Sequence, residues 1–182
     1  MRQPLVLLIL VLASAGLIAC RDAPRADGDE AVAVLTSPAP LPEFPCVPFQ
    51  QLRRHLPSKV EGLEQIRDEG SSGRYGEVSI SEAERSFKGI GGQEISIRIV
   101  DTTIVDQLGR ALRSAAGESS SPIQRDNALG FVHFLPESKR AEANLLVANR
   151  FMVAINGQGY EDPAQVRRIA EQFDVDGLAL LR

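Results

Sequence analysis

The sequence predicts an α+β fold, a mostly antiparallel sheet of about six strands covered by helices on both faces (an α/β/α sandwich). The first observation is the order of hydrophobic patterns, which runs helix, three strands, helix, three strands, helix. The second is that the strands at Gly130–Leu135 and Leu145–Ile155 are apolar on both sides. Because such strands need cover on both sides, the patterns favour a sandwiched sheet over one that faces water.

Hydrophobic periodicity places a helix and three strands in the first half of the domain. The helix is short and amphipathic, begins at Pro48 and stops before Pro57. The strands are expected at three ranges: Gly62–Glu69, Val78–Phe87 and Glu94–Asp101. The stretch SSGRYG after the first strand is typical of a loop, and KGIGG between the other two is typical of a hairpin turn.

The second half repeats this order, with a helix on either side of three strands. Ile104–Ala116 is the clearest amphipathic helix, and the stretch GESSSP ends it. The strands are expected at Ala128–Leu135, EANLLVA and FMVAI, the last two flanking a tight turn at Asn149-Arg150. The final helix has Asp162 as its N-cap and Pro163 at its first position.

A hydrophobic segment precedes the domain. Met1–Gln3 carry one arginine, and Pro4–Ile18 are nearly all Leu, Val, Ile and Ala. This run is shorter than the roughly 20 apolar residues that a membrane-spanning helix needs. Its charged start, apolar middle and small residues at the end are typical of an export signal, so residues 1–19 are predicted to be a cleaved signal peptide.

The motif Leu17-Ile18-Ala19-Cys20 resembles the lipobox of bacterial lipoproteins. The resemblance implies cleavage between Ala19 and Cys20, a diacylglycerol on the Cys20 thiol, and a further acyl chain such as palmitate on the new amine. This covalent lipid is the only bound group expected, with no other cofactor and no metal, and the membrane is the partner that it implies. The implied location is the bacterial cell envelope, facing the periplasm. Arg21, in the place where Asp would favour the inner membrane, favours the outer one.

The lipidated cysteine is expected to lead into a tether. Residues 20–45 are charged and small, then proline-rich, and cannot bury enough apolar area to fold. AVAVL inside this segment is a brief apolar exception, either a docking strand or no element, and the latter is favoured. Residues 46–182 are predicted to form a single globular α/β domain. Cys46 at its start is expected to pack as a small hydrophobe, with an intermolecular disulfide as the alternative.

Residues with catalytic potential do not form a known constellation in the sequence. His55 is expected to be solvated, and His133 to be a tucked, hydrogen-bonded histidine more than a general base or metal ligand. Asp101 is expected to cap the helix that follows, and a carboxylate pair with Asp106 is disfavoured. GQGYED (Gly157–Asp162) lacks the third glycine of a dinucleotide loop and places acids at a helix N-terminus, so it is expected to be a turn.

Two stretches, GIGGQEISIRIVDT and NLLVANRFMVAINGQG, resemble uncharacterised bacterial envelope proteins, which are distantly similar to the Mog1/PsbP-like sandwich. The resemblance covers roughly Leu56–Leu180 and implies no catalytic residue. The net charge of −4 indicates no nucleic-acid partner. The sequence therefore predicts a lipid-anchored, non-enzymatic binding or scaffolding module of the cell envelope, contacting another envelope component. The alternative is a periplasmic carrier that shields a small apolar ligand between sheet and helix.

Overall fold

A computed structural model describes residues 45–115 and 120–181 of the chain. Its strands form one antiparallel sheet in the order β1-β2-β3-β7-β6-β5-β4. They are β1 (Glu64–Tyr75), β2 (Val78–Lys88), β3 (Glu94–Thr102), β4 (Ser120–Arg125), β5 (Ala128–Leu135), β6 (Arg140–Val147) and β7 (Phe151–Gln158). After β3 the chain crosses to the far edge of the sheet and returns strand by strand, so that β3 and β7 lie side by side.

The described helices are short. They are α1 (Phe49–Leu52), α2 (Val105–Ala115), α3 (Ala164–Gln172) and α4 (Val175–Ala179), with 3-10 turns at Arg53–His55 and Pro136–Ser138. The segment of α1 and its 3-10 turn agrees with the amphipathic helix predicted to begin at Pro48. Within the described ranges, no helix combines the length and apolar character needed to cross a membrane.

One side of the sheet, here called the helix face, packs against α1, α3 and α4. Since side chains alternate along a strand, every second residue points to this side. The residues from the two central strands are fully buried: Ile95, Ile97 and Ile99 of β3, and Phe151, Val153 and Ile155 of β7. Val166, Ala170 and Leu178 of α3 and α4 complete the same core. Burying one such aliphatic or aromatic side chain contributes about 1.5–3 kcal/mol.

The other side, here called the open face, has a different character. Its central positions are polar, with Ser96 and Arg98 on β3, Asn144 on β6 and Asn156 on β7. Only one end carries a described apolar cluster, in which Val105 of α2 packs against Phe131, Leu146 and Met152. The open face is thus half covered and half wet.

The predicted sandwich of about six strands with helices on both faces is therefore wrong. The described part of the protein is mostly a seven-stranded antiparallel sheet with few short helices. The apolar outward residues of Gly130–Leu135 and Leu145–Ile155 gather at one end of the open face and need only local cover. Leu129, beside this cluster, and Leu135, at the other end of β5, stay exposed.

Two edge strands account for the difference in strand content. The sequence predicts no strand at β4, where Pro122 interrupts the pattern, and the structure buries only Ile123 of its six residues. SSGRYG was expected to be a loop, yet it continues β1 for its whole second half. Edge strands of this kind lack the alternation on which sequence reading depends.

Several turns agree with their predictions. KGIGG joins β2 to β3 as a hairpin, with Gly89 donating to the carbonyl of Gln93 (2.8 Å) and Gly92 at a φ of +85°. The turn before β7 lies one residue earlier than expected, with positive φ at Ala148 and Asn149. Both central residues have the positive φ of a type I′ turn, which matches the twist of a hairpin.

The predictions for the N-terminal segment lie outside the described residues. They are the signal peptide at residues 1–19, the lipidated Cys20, and the tether at residues 20–45 with its AVAVL stretch, apart from Pro45. The described part of the chain begins at Pro45, which is exposed. Cys46 and Val47, the next two residues, are buried in the domain.

Candidate functional site

A pocket of about 300 Å³ opens at the margin of the helical layer. One wall is the segment that follows the 3-10 turn after α1, and the other is α3 with the link to α4. Val60, Ile169 and Phe173 supply its apolar surface, while His55, Lys59 and Arg168 are among its polar residues. A volume of this size is at the small end of the range for ligand pockets, which also combine apolar walls with a few polar groups.

His55 and Asp174 meet at the edge of this pocket. The Nδ1 atom of His55 lies 3.2 Å from Oδ2 of Asp174, although the residues are 119 positions apart in the chain. The His55 side chain keeps only 17% of its surface exposed. The structure therefore differs from the prediction of a solvated His55, because α4 brings a carboxylate to it.

Asp174 is held in place by the start of α4. It is the N-cap of that helix, and its Oδ1 accepts the backbone N–H of Gly177 at 2.9 Å. A Cβ on Gly177 would come within 2.1 Å of Oδ2, so the close approach requires glycine. The hydrogen bond from Gly177, and then the one with His55, lower the pKa of Asp174 below its usual 3.8.

A second group of charges fixes the wall that carries His55. Arg85 on β2 donates to the carbonyls of Leu56 (3.0 Å) and Pro57 (3.1 Å) and to Asp68 Oδ2 (2.8 Å). Arg53 also donates to Asp68 (2.8 Å), and this bond is the main cause that lowers the pKa of that carboxyl. Since Arg85 leaves 11% of its side chain exposed, these bonds are shielded and position the segment firmly.

The rim of the pocket carries opposite charges. Arg168 lies 3.7 Å from Glu61, with both side chains well exposed, and Gln165 donates to the Glu61 carbonyl at 3.0 Å. Lys59 is exposed on the same rim. An exposed ion pair such as Arg168–Glu61 contributes little and exchanges partners readily, so both cations are accessible to an incoming carboxylate.

The polar residues of the pocket include one pair with acid–base potential. The His55–Asp174 pair has the orientation of a general base and its supporting carboxylate. However, no serine, threonine or cysteine is among the residues that line the pocket. In the described part of the chain, His, Cys, Asp and Glu side chains do not gather in a group that could hold a metal ion.

Asp101 occupies a different position from the one predicted. It is buried at the end of β3, where Oδ2 accepts the backbone N–H of Val47 (2.7 Å) and a bond from Arg150 Nη2 (2.8 Å). Arg150 also stacks over Phe151, 5.0 Å from the ring centre. Asp101 therefore clamps the point where the chain enters the domain instead of capping α2. Asp106 is exposed in the first turn of α2 and does not share this ion pair.

Cys46 lies beside the same clamp. It is a free thiol, buried, and its Sγ donates to the carbonyl of Ser79 at 3.4 Å. Burial raises the pKa of the Cys46 thiol, and the nearby carboxylate of Asp101 adds to this. A buried thiol with a raised pKa is unreactive, in agreement with the prediction that Cys46 packs as a small hydrophobe.

The other candidates do not join the pocket. His133 is half-buried on the open face, opposite Glu142 of β6, so the sheet separates it from His55. GQGYED forms a turn, with Gly159 at a φ of +80° and Asp162 accepting the N–H of Ala164 (2.8 Å). The N-cap predicted at Asp162 is wrong by one residue: Pro163 is the N-cap and α3 begins at Ala164, because the Asp162 carboxylate closes the turn before the helix.

Comparisons with family models and with curated proteins find no match to this chain. A solved structure, that of a GTP binding regulator from Thermotoga maritima, matches with a TM-score of 0.41 and 8% identity, over 64% of this chain and 79% of that one. A likeness this weak supports no transfer of fold or function. The comparisons thus assign this chain to no enzyme family.

Proposed function

We propose that this protein is a lipid-anchored, non-enzymatic module of the bacterial cell envelope, and that its pocket binds another envelope protein. The anchor rests on the lipobox at Leu17–Cys20. The binding role rests on one observation, an open pocket with an apolar wall, a rim that carries Lys59 and Arg168 beside Glu61, and no hydroxyl or thiol among its lining residues. The partner segment would carry an apolar side chain next to an acidic group.

The contacts of the pocket support this partner chemistry. Ile169 and Phe173 offer apolar surface to one side chain, which the volume of about 300 Å³ can hold. Lys59 and Arg168 on the rim would pair with the acidic group, at the expense of the weak contact between Arg168 and Glu61. Oppositely charged rims chiefly raise the rate of association and its specificity.

The carrier alternative gains no such support. A carrier would hold its ligand between the sheet and the helices, and that layer is filled by side chains such as Ile97, Ile155 and Leu178, all 0% exposed. Opening a space there would cost the burial of several of them. We therefore propose contact at the margin of the layer and not storage within it.

The anchor is tested by labelling cells with an alkyne fatty acid. Wild-type protein should incorporate the label and fractionate with membranes, whereas Cys20→Ala should do neither. Cys46→Ala is the matched control, since the buried Cys46 should not affect labelling. Unlabelled wild-type protein in the soluble fraction would overturn the anchor and leave the pocket to be tested separately.

The pocket is tested by photo-crosslinking in cells of the native host. A benzophenone amino acid at Lys59 should give one discrete adduct, and the same group at Asn156 on the open face should not. Ile169→Glu should abolish the adduct at position 59 without loss of secondary structure, because it places a charge in the apolar wall. Equal adducts at both positions, or an adduct that survives Ile169→Glu, would contradict the proposed site.

A further inference from the structure

The two edges of the sheet differ in how well they are protected. β4 is six residues long and contains Pro122, which cannot donate a ladder hydrogen bond. β1 is twelve residues long and mostly exposed, contains neither proline nor lysine, and has four of its five charged residues in its first half. Long regular edges invite pairing with another strand, and proteins usually block them with proline, lysine or bulges. The bulge of β1 lies at its start, between Gln65 and Arg67, and leaves the rest regular.

The register shows which backbone groups β1 presents to the outside. Ser79 directs its own N–H and C=O away from β1, to Thr103, with N···O distances of 3.1 Å. Its partner Arg74 therefore belongs to a pair without mutual hydrogen bonds, and such pairs alternate along an antiparallel ladder. It follows that Asp68, Gly70, Ser72 and Arg74 direct their N–H and C=O groups outward, at the edge of the described sheet.

We infer that β1 pairs with β1 of a second copy of this chain, antiparallel, about a two-fold axis at Ser71. Residues at equal distances on either side of Ser71 then face each other. Asp68 lies opposite the partner's Arg74, and Gly70 lies opposite the partner's Ser72. The outward backbone groups of these four residues meet in hydrogen-bonded pairs, as an antiparallel ladder requires.

The charges fit this register. Asp68 and Arg74 lie on the same face of the sheet, so the two-fold axis brings each Arg74 opposite the partner's Asp68. Asp68 already binds Arg53 and Arg85 within its own chain, so Arg74 would join this charged group as an additional donor. Arg74 is exposed and its Nε donates to Ser79 Oγ at 3.3 Å, which leaves its other donors for a carboxylate. Gly70 and Gly73 carry no side chains of their own, and the rings of Phe49 and Tyr75 lie over them.

The symmetry is also compatible with anchoring, although it does not depend on it. A two-fold axis perpendicular to the sheet puts both helix faces on one side of the combined sheet. The chain enters each domain on the helix face, where Val47 meets Asp101. Both entry points thus lie on the same side, so two tethered copies could share one membrane.

A disulfide at the axis tests the inference on the full-length chain in detergent. Ser71→Cys should convert most of the protein to a disulfide-linked dimer under mild oxidation. The two cysteines would face each other in a pair without mutual backbone hydrogen bonds, where the two strands bring side chains closest together. Ser121→Cys on the other edge is the matched control and should stay at the level of the parent chain. Equal dimer formation by the two variants, or none by Ser71→Cys, would overturn the inferred interface.

The charge pairs give a second, independent measurement. Arg74→Glu should shift the chain from dimer to monomer in sedimentation velocity, because it places two like-charge pairs across the axis. Arg74→Lys should keep the dimer. A parent chain that sediments as a monomer throughout a dilution series, or an unchanged dimer in Arg74→Glu, would contradict the interface. Neither measurement involves the pocket, so failure here leaves the proposed function standing.

Discussion

The two faces of the sheet are built from the same strands and yet have opposite roles. On β3, Ile95, Ile97 and Ile99 enter the core of the helix face, while Ser96 and Arg98 between them meet water on the open face. On β7, Ile155 and Asn156 show the same division. The helix face thus contributes most of the burial that stabilises the domain, and the open face contributes less.

The largest expected effect separates the two faces on a single strand. Ile97→Ala should lower the free energy of unfolding by about 2–5 kcal/mol, because it leaves a cavity in a fully buried site. The neighbouring Ser96→Ala should change it by no more than about 0.5 kcal/mol. Urea denaturation followed by circular dichroism measures both. Similar losses in the two variants would show that the open face is buried in solution.

The second largest loss of stability is expected at Asp101, which binds Val47 and Arg150 where the chain enters the domain. Asp101→Ala removes the acceptor for Val47 and leaves Arg150 without its buried carboxylate, so unfolding should become easier by about 2–3 kcal/mol. Glu82→Ala, an acid on the open face, is the control and should cost much less. If both variants unfold at the same urea concentration, Asp101 does not act as a clamp.

The margin of the helix face should show a smaller effect that depends on pH. Asp174→Ala removes the cap of α4 and should cost about 1 kcal/mol at neutral pH. Because the pKa of Asp174 is lower in the folded state, its contribution is fully present above the unfolded value of 3.8 and is lost as pH falls through the folded value. The difference in stability between wild type and variant should therefore shrink below pH 3.8.

The decrease in the stability difference between wild type and Asp174→Ala is measured by urea denaturation in a series of acidic buffers. Asp176→Ala, which changes an exposed acid in the first turn of the same helix, serves as the control. A difference that persists unchanged at the lowest pH would mean that the carboxylate charge of Asp174 is not what stabilises α4.

The smallest effect is expected on the open face. Arg98 donates to Glu84 at 2.6 Å, with 49% of the arginine side chain exposed. Arg98→Ala should cost about 0.5 kcal/mol or less, and added salt should reduce this further. A double-mutant cycle with Glu84→Ala isolates the pair. A coupling energy above about 1 kcal/mol would contradict the contrast between the faces.

Sequence reasoning located the apolar strands of the core and the KGIGG and Asn149 turns. It placed the cap of the last helix at Asp162, one residue before the observed N-cap at Pro163. It failed at β4 and in the second half of β1, because edge strands need no alternation of buried and exposed residues. It also failed to identify the pocket. His55 and Asp174 are 119 residues apart, and no local spacing relates them. The only available signal was the pattern of Asp174 three residues before Gly177, which is typical of a helix cap.

By itself the sequence determined which residues can be buried. Apolar and polar residues alternate on β3 and β7, and this alternation marks the buried side and the exposed side of each strand. The sequence also contains Leu17-Ile18-Ala19-Cys20, whose resemblance to a lipobox is a prediction from local sequence alone. Only the tertiary structure decided that one face stays half wet, that Asp174 meets His55, and that β1 lies at an edge. These properties depend on contacts between distant segments, and no local pattern of residues encodes which segments become neighbours.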